Sequence, residues 1–320
     1  MAKRKNRKTT RTYTYVAIGA VLAFLAIMYA YAPTLEKLIY SPGPVPISTI
    51  TTSTAGQNAT GYQGNTGNNI TQSLFPQSGF RTKIKLGDLV PRLVASGALN
   101  TSKIRALYGN NLTQQELNML TQANYSNLTL SSHNANFLLL VFWAVGIANK
   151  NPILDNFVAR AGSSNMSYFA STGGWTLGTD NNSLVYFNKV RLINLTPTQQ
   201  AEANYTAMHS YRPCCNNPTG FPDCNHGAAL LALEELGASQ GLNQTELNTL
   251  ALEAQTLWFP SYYQDTAILL QSKNMSYWGD AAAILDANYS SGSGWYSNVY
   301  KPLQEQNLLP QSRGGVSCGA

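Results

Sequence analysis

Three of the four cysteines and two of the three histidines fall within eighteen residues, His209-Ser-Tyr-Arg-Pro-Cys214-Cys215-Asn-Asn-Pro-Thr-Gly-Phe-Pro-Asp223-Cys224-Asn-His226. Thiolates and imidazoles are the soft and borderline ligands of Fe, Cu and Zn. The clustering therefore predicts a transition-metal or redox site with Cys214, Cys215, Cys224 and His226 as ligands and His209 joining from the preceding helix end. Asp223 is placed to ligate or to orient His226 from outside, and Arg212 to depress a neighbouring thiol pKa. Cys224 falls at the predicted start of a helix, where free amides and the dipole favour a thiolate. Pro213, Pro218 and Pro222 stiffen the segment, as a pre-organised site requires. The spacing contains no Cys-x-x-Cys, which argues against a thioredoxin-like pair and a zinc ribbon and excludes a covalent c-type haem. No nucleotide cofactor is implied.

Two other readings use the same residues. An even cysteine count in an oxidising compartment allows disulfides. A vicinal Cys214–Cys215 bond is awkward, which leaves one of that pair for Cys224 and the other for Cys318. Loops of roughly 10 and 100 residues closed in this way contribute about 2.7 and 4.7 kcal/mol, and the chain is then a disulfide-stapled structural or interaction glycoprotein without catalysis. Alternatively Cys224 beside His226 is the reactive thiol of an oxidoreductase. The residues leave open whether the protein is an enzyme. Weaker candidates are an anion-binding amide nest at Gly173-Gly174-Trp175-Thr-Leu-Gly178, where a turn is the simpler reading, and His133, as a surface or capping residue or one facing the site. Glu234 and Glu235 read as a solvated helix face before a general base, and Trp258, Phe259, Tyr262 and Tyr263 read as core.

The elements that must position these groups are helical. Asp88 with Pro91, the capping box Thr113 to Glu116, and Thr196-Pro197 mark helix starts. Ser131 or Ser132 is placed to cap the run Phe137 to Ala148, twelve apolar or glycine residues that read as a buried central helix. Further helices are expected near 152–160, 198–210, 226–239, 244–258, 262–272 and 278–287. Residues 168–194 read as a short extended, hairpin or irregular insertion. The fold class is mainly α.

Only 11% of residues are charged, against about 25% in ordinary soluble chains. The net charge of +6 comes from Lys3, Arg4, Lys5, Arg7, Lys8 and Arg11. Beyond them positive and negative side chains balance, so nucleic-acid binding has no support. Residues 1–12 read as a basic cytoplasmic tail, 13–35 as a transmembrane signal anchor, 36–80 as a Ser/Thr/Asn/Gly-rich disordered stalk, and 81–320 as an α-helical ectodomain containing the motif at 209–227. The positive-inside rule makes this a single-pass plasma-membrane protein with its N-terminus in the cytoplasm and its C-terminal domain outside. Thirteen Asn-x-Ser/Thr acceptors, at Asn58, Asn69, Asn100, Asn111, Asn124, Asn127, Asn165, Asn181, Asn194, Asn204, Asn243, Asn274 and Asn288, suit a glycosylated surface protein that meets other cell-surface proteins.

YRPCC followed by FPDCNHG, with FWAVGIANKNPIL and ASTGGWTLG, resembles an uncharacterised prokaryotic family of membrane-anchored extracytoplasmic proteins. The resemblance spans about residues 81 to 290 and rests on Trp143, Gly174, Trp175, Cys214, Cys215, Cys224 and His226. It implies that the motif defines a family and brings no activity with it.

Overall fold

Capping side chains set most helix starts, and the computed structural model, which describes residues 65–310, follows them closely. In chain order the elements are α1 (Asn65–Leu74), β1 (Phe80–Gly87), α2 (Leu89–Ala95), α3 (Thr101–Tyr108), α4 (Gln114–Thr121), β2 (Asn124–Leu130), α5 (Ala135–Ala148), α6 (Pro152–Ala161), α7 (Pro197–His209), α8 (Asn225–Ser239), α9 (Gln244–Trp258), α10 (Pro260–Ser272), α11 (Ala281–Leu285), α12 (Ala287–Ser290), α13 (Gly292–Trp295) and α14 (Lys301–Glu305). A π-helical turn, Tyr296–Tyr300, joins the last two. Reciprocal capping boxes open α4, α7 and α9, and a first-turn proline sits in α6, α7 and α10.

The fold is mainly helical with one two-stranded sheet. β1 and β2 pair antiparallel, Phe80 opposite Leu130 and Lys85 opposite Asn127. Along β1, Thr82, Ile84 and Leu86 are buried while Arg81, Lys83 and Lys85 face solvent, the period-two alternation of a half-buried strand. Residues 168–194 take the irregular form among those expected, with a 3-10 turn at Ser183–Val185 and an isolated parallel bridge from Val190 to Asn149. At the entry to α5 the expected serine cap is replaced by Asn134. Its side chain accepts from the Ser131 amide at 2.9 Å and donates to Thr129 O at 2.9 Å, so the helix start is tied to the end of β2. α1 falls inside the stretch expected to be linker, and its Leu74 is buried in the core.

α5 is the centre, with every residue from Phe137 to Ala148 buried. It packs closely on α8: a Cβ at Gly146 would lie 1.9 Å from Ala228 O, so only glycine permits this crossing. Trp143 donates its indole N–H to Ser171 O at 2.6 Å, and Trp175 donates to Ala98 O at 2.8 Å, with the two rings edge to face. The Gly173 and Trp175 amides are engaged by Phe169 O and Thr172 O, as in a tight turn rather than an anion nest. Among the described residues no helix is long and apolar enough to cross a membrane. The anchor expected at 13–35 lies outside the described residues, as do Asn58 and Cys318.

Candidate metal centre

α7 ends at His209 and α8 begins at Asn225; the segment between them folds back on itself and is held from two sides. Thr219 N donates to Ser210 O at 2.8 Å and Gly220 N to Ala207 O at 2.6 Å. Tyr211 N donates to Leu285 O and Gly292 N to Cys215 O, each at 2.8 Å, and Ser293 N reaches Asn216 Oδ1 at 2.8 Å. The loop is therefore fastened to α7 on one side and to the α11–α13 region on the other.

Its hub is Arg212, whose side chain is fully buried. The Nε donates to Cys224 Sγ at 3.1 Å, one terminal nitrogen to Asn217 O at 3.0 Å and the other to Phe221 O at 3.1 Å. That last nitrogen also ion-pairs with Asp223, whose second oxygen accepts from Asn217 Nδ2 at 2.8 Å. A buried guanidinium is tolerated because nearly all its donors are used. Gly227 makes the room, since a Cβ there would come within 2.6 Å of the guanidinium. Burial raises the Asp223 carboxyl more than Arg212 lowers it.

Cys224 caps α8 with its sulfur, which accepts from Gly227 N at 3.3 Å. Cys214 Sγ lies 3.5 Å from Cys224 Sγ and 4.0 Å from Cys215 Sγ. Hydrogen bonding from Cys214, then Cys215, with help from Arg212, holds the Cys224 thiol well below its usual pKa despite burial. At Cys215 the contact with Cys214 pulls down, but Cys224 and burial outweigh it and push that thiol up to about 12. Negative charge is thus concentrated on Cys224. Burial lowers His226 to about 4, so its imidazole is neutral near pH 7 and keeps a lone pair for a ligand. Its Nδ1 lies 3.1 Å from Asn225 Oδ1 and its ring 4.3 Å from Phe259.

Two overlapping ligand sets result. One ligand atom from each of Cys214, Cys224 and His226 lies within 4.8 Å of the other two, and the same holds for Cys215, Asp223 and Cys224. Either group could hold a metal ion. Two sulfurs bound tetrahedrally at ~2.3 Å stand ~3.8 Å apart, whereas a disulfide needs ~2.05 Å. The 3.5 Å between Cys214 and Cys224 matches the first geometry, and among the described residues no disulfide links the three cysteines.

The remaining expectations are corrected by position. His209 is outside the cluster: it is exposed, stacks on Tyr205 at 4.2 Å, and pairs its Nδ1 with Tyr205 O. Ser210, the next residue, is the one that turns inward. His133 is exposed, in line with its surface reading. Glu234 and Glu235 do not form a solvated face, since both are buried where α8 runs between α5, α7 and α9. Sequence reasoning missed Asn217 and Gly227 as partners of Arg212, the glycine directly after His226 being the available signal, while Phe259 is core as expected. No protein-family model matches this chain, and no curated protein or solved structure matches it either.

Proposed function

We propose that the chain is a cell-surface protein anchored by one N-terminal membrane helix, whose extracytoplasmic helical domain binds a soft transition metal, Cu(I) or Zn(II), at Cys214, Cys224 and His226. The observation that carries this reading is the pair of sulfurs 3.5 Å apart with a neutral imidazole alongside, all on a loop fixed by a buried arginine. Three protein ligands leave one tetrahedral position for an exogenous ligand, the arrangement of centres that exchange ligands or electrons rather than staple a fold. Cys215 and Asp223 flank Cys224 as a second set of candidate ligands. The extracytoplasmic placement is supported by the basic N-terminus and by the acceptor asparagines: Asn100 and Asn124 are half-buried, and Asn111, Asn127, Asn165, Asn181, Asn194, Asn204, Asn243, Asn274 and Asn288 are exposed.

The test is titration of the full-length, detergent-solubilised protein with Cu(I) and Zn(II) against a competing chelator. One equivalent is expected. Cys214→Ser, Cys224→Ser and His226→Ala each lower affinity by more than the roughly 10- to 100-fold that loss of a supporting partner costs, while His209→Ala has no effect. Unchanged metal content in Cys224→Ser refutes the reading. A second reading rests on the depressed Cys224 thiol with Cys214 beside it, which is also the arrangement of a redox-active dithiol. Fast alkylation of Cys224 near neutral pH together with sub-stoichiometric metal favours that alternative.

A further inference from the structure

The imidazole of His226 begins an unbroken series of aromatic rings that ends in solvent. Its ring centroid is 4.3 Å from Phe259; Phe259 is 6.1 Å from Tyr262; Tyr262 is 4.4 Å from Trp295. Trp295 is 5.6 Å from Tyr300, and Tyr300 stacks on Tyr296 at 5.5 Å. Tyr296 is 49% exposed, and Lys301 Nζ lies 5.7 Å from its ring centre. The rings come from α8, the α9–α10 junction, α10, α13 and the π-helical turn, so helical periodicity alone does not generate the line. The π-turn at Tyr296–Tyr300 adds a residue to the helical turn and places Tyr296 and Tyr300 in register.

Core packing explains aromatic burial, but it requires neither a continuous path nor oxidisable rings on its outer half. Tryptophan and tyrosine are the aromatic side chains that give up an electron most readily, and here they occupy every position from Tyr262 outward. Phe259, which does not oxidise readily, bridges the one step to the histidine.

We propose that this line of rings is a one-electron conduit between the metal centre and the protein surface, with Tyr296 as its outer terminus. The inference rests on the metal reading above, with copper as the ion. An external one-electron acceptor takes an electron from Tyr296, which releases its phenolic proton to water. Tyr300, Trp295 and Tyr262 refill the vacancy in turn, each tyrosine shedding its phenolic proton as it is oxidised and regaining it as it is re-reduced, and a Cu(I) ion held at the centre would supply the last electron. Tyr296 regains its proton, so the net change is oxidation of copper by one electron and reduction of the acceptor by one. The reverse sequence serves a one-electron donor.

The experiment uses full-length protein loaded with Cu(I), its copper content measured for every variant, and flash-generated tris(bipyridine)ruthenium(III) as the oxidant. Transient absorption follows the tyrosyl and tryptophanyl radicals, and electron paramagnetic resonance follows Cu(II). In the wild type the radical signal decays as Cu(II) grows. Trp295→Phe slows that transfer by at least about tenfold, the factor that 1.36 kcal/mol of added barrier produces. The double variant Tyr296→Phe, Tyr300→Phe, confined to the outer end and so tolerant in folding, slows it similarly. Tyr168→Phe, exposed and off the path, leaves it unchanged. Full copper with unaltered rates in both path variants overturns the conduit alone. Absence of stoichiometric copper overturns the metal reading and the conduit with it.

Discussion

Glu234 and Glu235 make the protein less stable as pH rises, and replacing both by glutamine removes that dependence. The hydrogen bonding at Glu234 accommodates a protonated carboxyl. Ser210 Oγ stands 2.6 Å from Glu234 Oε1 and 2.8 Å from Thr219 Oγ1, and Thr219 in turn donates to Ser210 O. A single hydroxyl proton cannot serve both acceptors. If Glu234 carries a proton it donates to Ser210, which donates to Thr219, and the chain is complete. Asn149 Nδ2 donates to Glu235 Oε2 at 2.7 Å, and Glu234 Oε2 and Glu235 Oε1 are buried without any hydrogen-bond partner among the described residues. Burial pushes both carboxyls from 4.5 up to about 8, and the Ser210 and Asn149 contacts only partly oppose it.

The sign follows from proton linkage. Below pH 4.5 folded and unfolded chains both hold these protons; between 4.5 and 8 the unfolded chain releases them while the folded one keeps them, so stability falls; above 8 the loss is complete. From pH 5 to 8 each carboxyl removes on the order of 3 kcal/mol, against a total of about 5–15 kcal/mol for a typical domain. His226 and Cys224 titrate as well, but their contributions cancel when wild type and the Glu234→Gln, Glu235→Gln variant are compared at each pH. The assay is chemical denaturation of both proteins from pH 5 to 8. The variant gains on the wild type by several kcal/mol across that range. A constant difference between the two refutes the assignment of buried neutral carboxyls.

Two further outcomes follow from close backbone approaches. Gly227→Ala drives a methyl into the Arg212 guanidinium; it costs about 1–3 kcal/mol and, by displacing Arg212 Nε from Cys224, raises the thiol pKa, read as slower alkylation at pH 7 by mass spectrometry. Gly146→Ala forces α5 off α8 at Ala228 O; thermal melting shows a larger loss than for Gly241→Ala, whose added Cβ meets nothing but whose positive φ still carries a cost.

Capping chemistry is local, and so the helices of the second half were legible: Thr196 and Asn243 each write their own first turn. Tertiary placement is not local. β1 falls in the part expected to be helical, and its alternation emerges only once Ile84 and Leu86 are seen facing the core. His209 belongs to the motif by chain position, yet one residue of helix, about 100° of rotation, separates it from the inward Ser210. Glu234 and Glu235 looked solvated because nothing in the sequence reports that α8 is enclosed on several sides. The three cysteines and His226 were legible as a cluster because rare residues seldom crowd by accident. Arg212 as their hub was not, because a buried arginine is recognised only by the partners its donors find.

The loop that carries the cysteines is tied at Tyr211, Cys215 and Asn216 to Leu285, Gly292 and Ser293, residues some seventy to eighty positions further along the chain. That tether sets an order of assembly. A nascent or partly exported chain that has delivered the motif but not yet residues 281–293 has the ligands without their frame. On the proposed reading, metal loading waits until the C-terminal part of the domain has folded, and a peptide copy of residues 209–227 does not reproduce the centre.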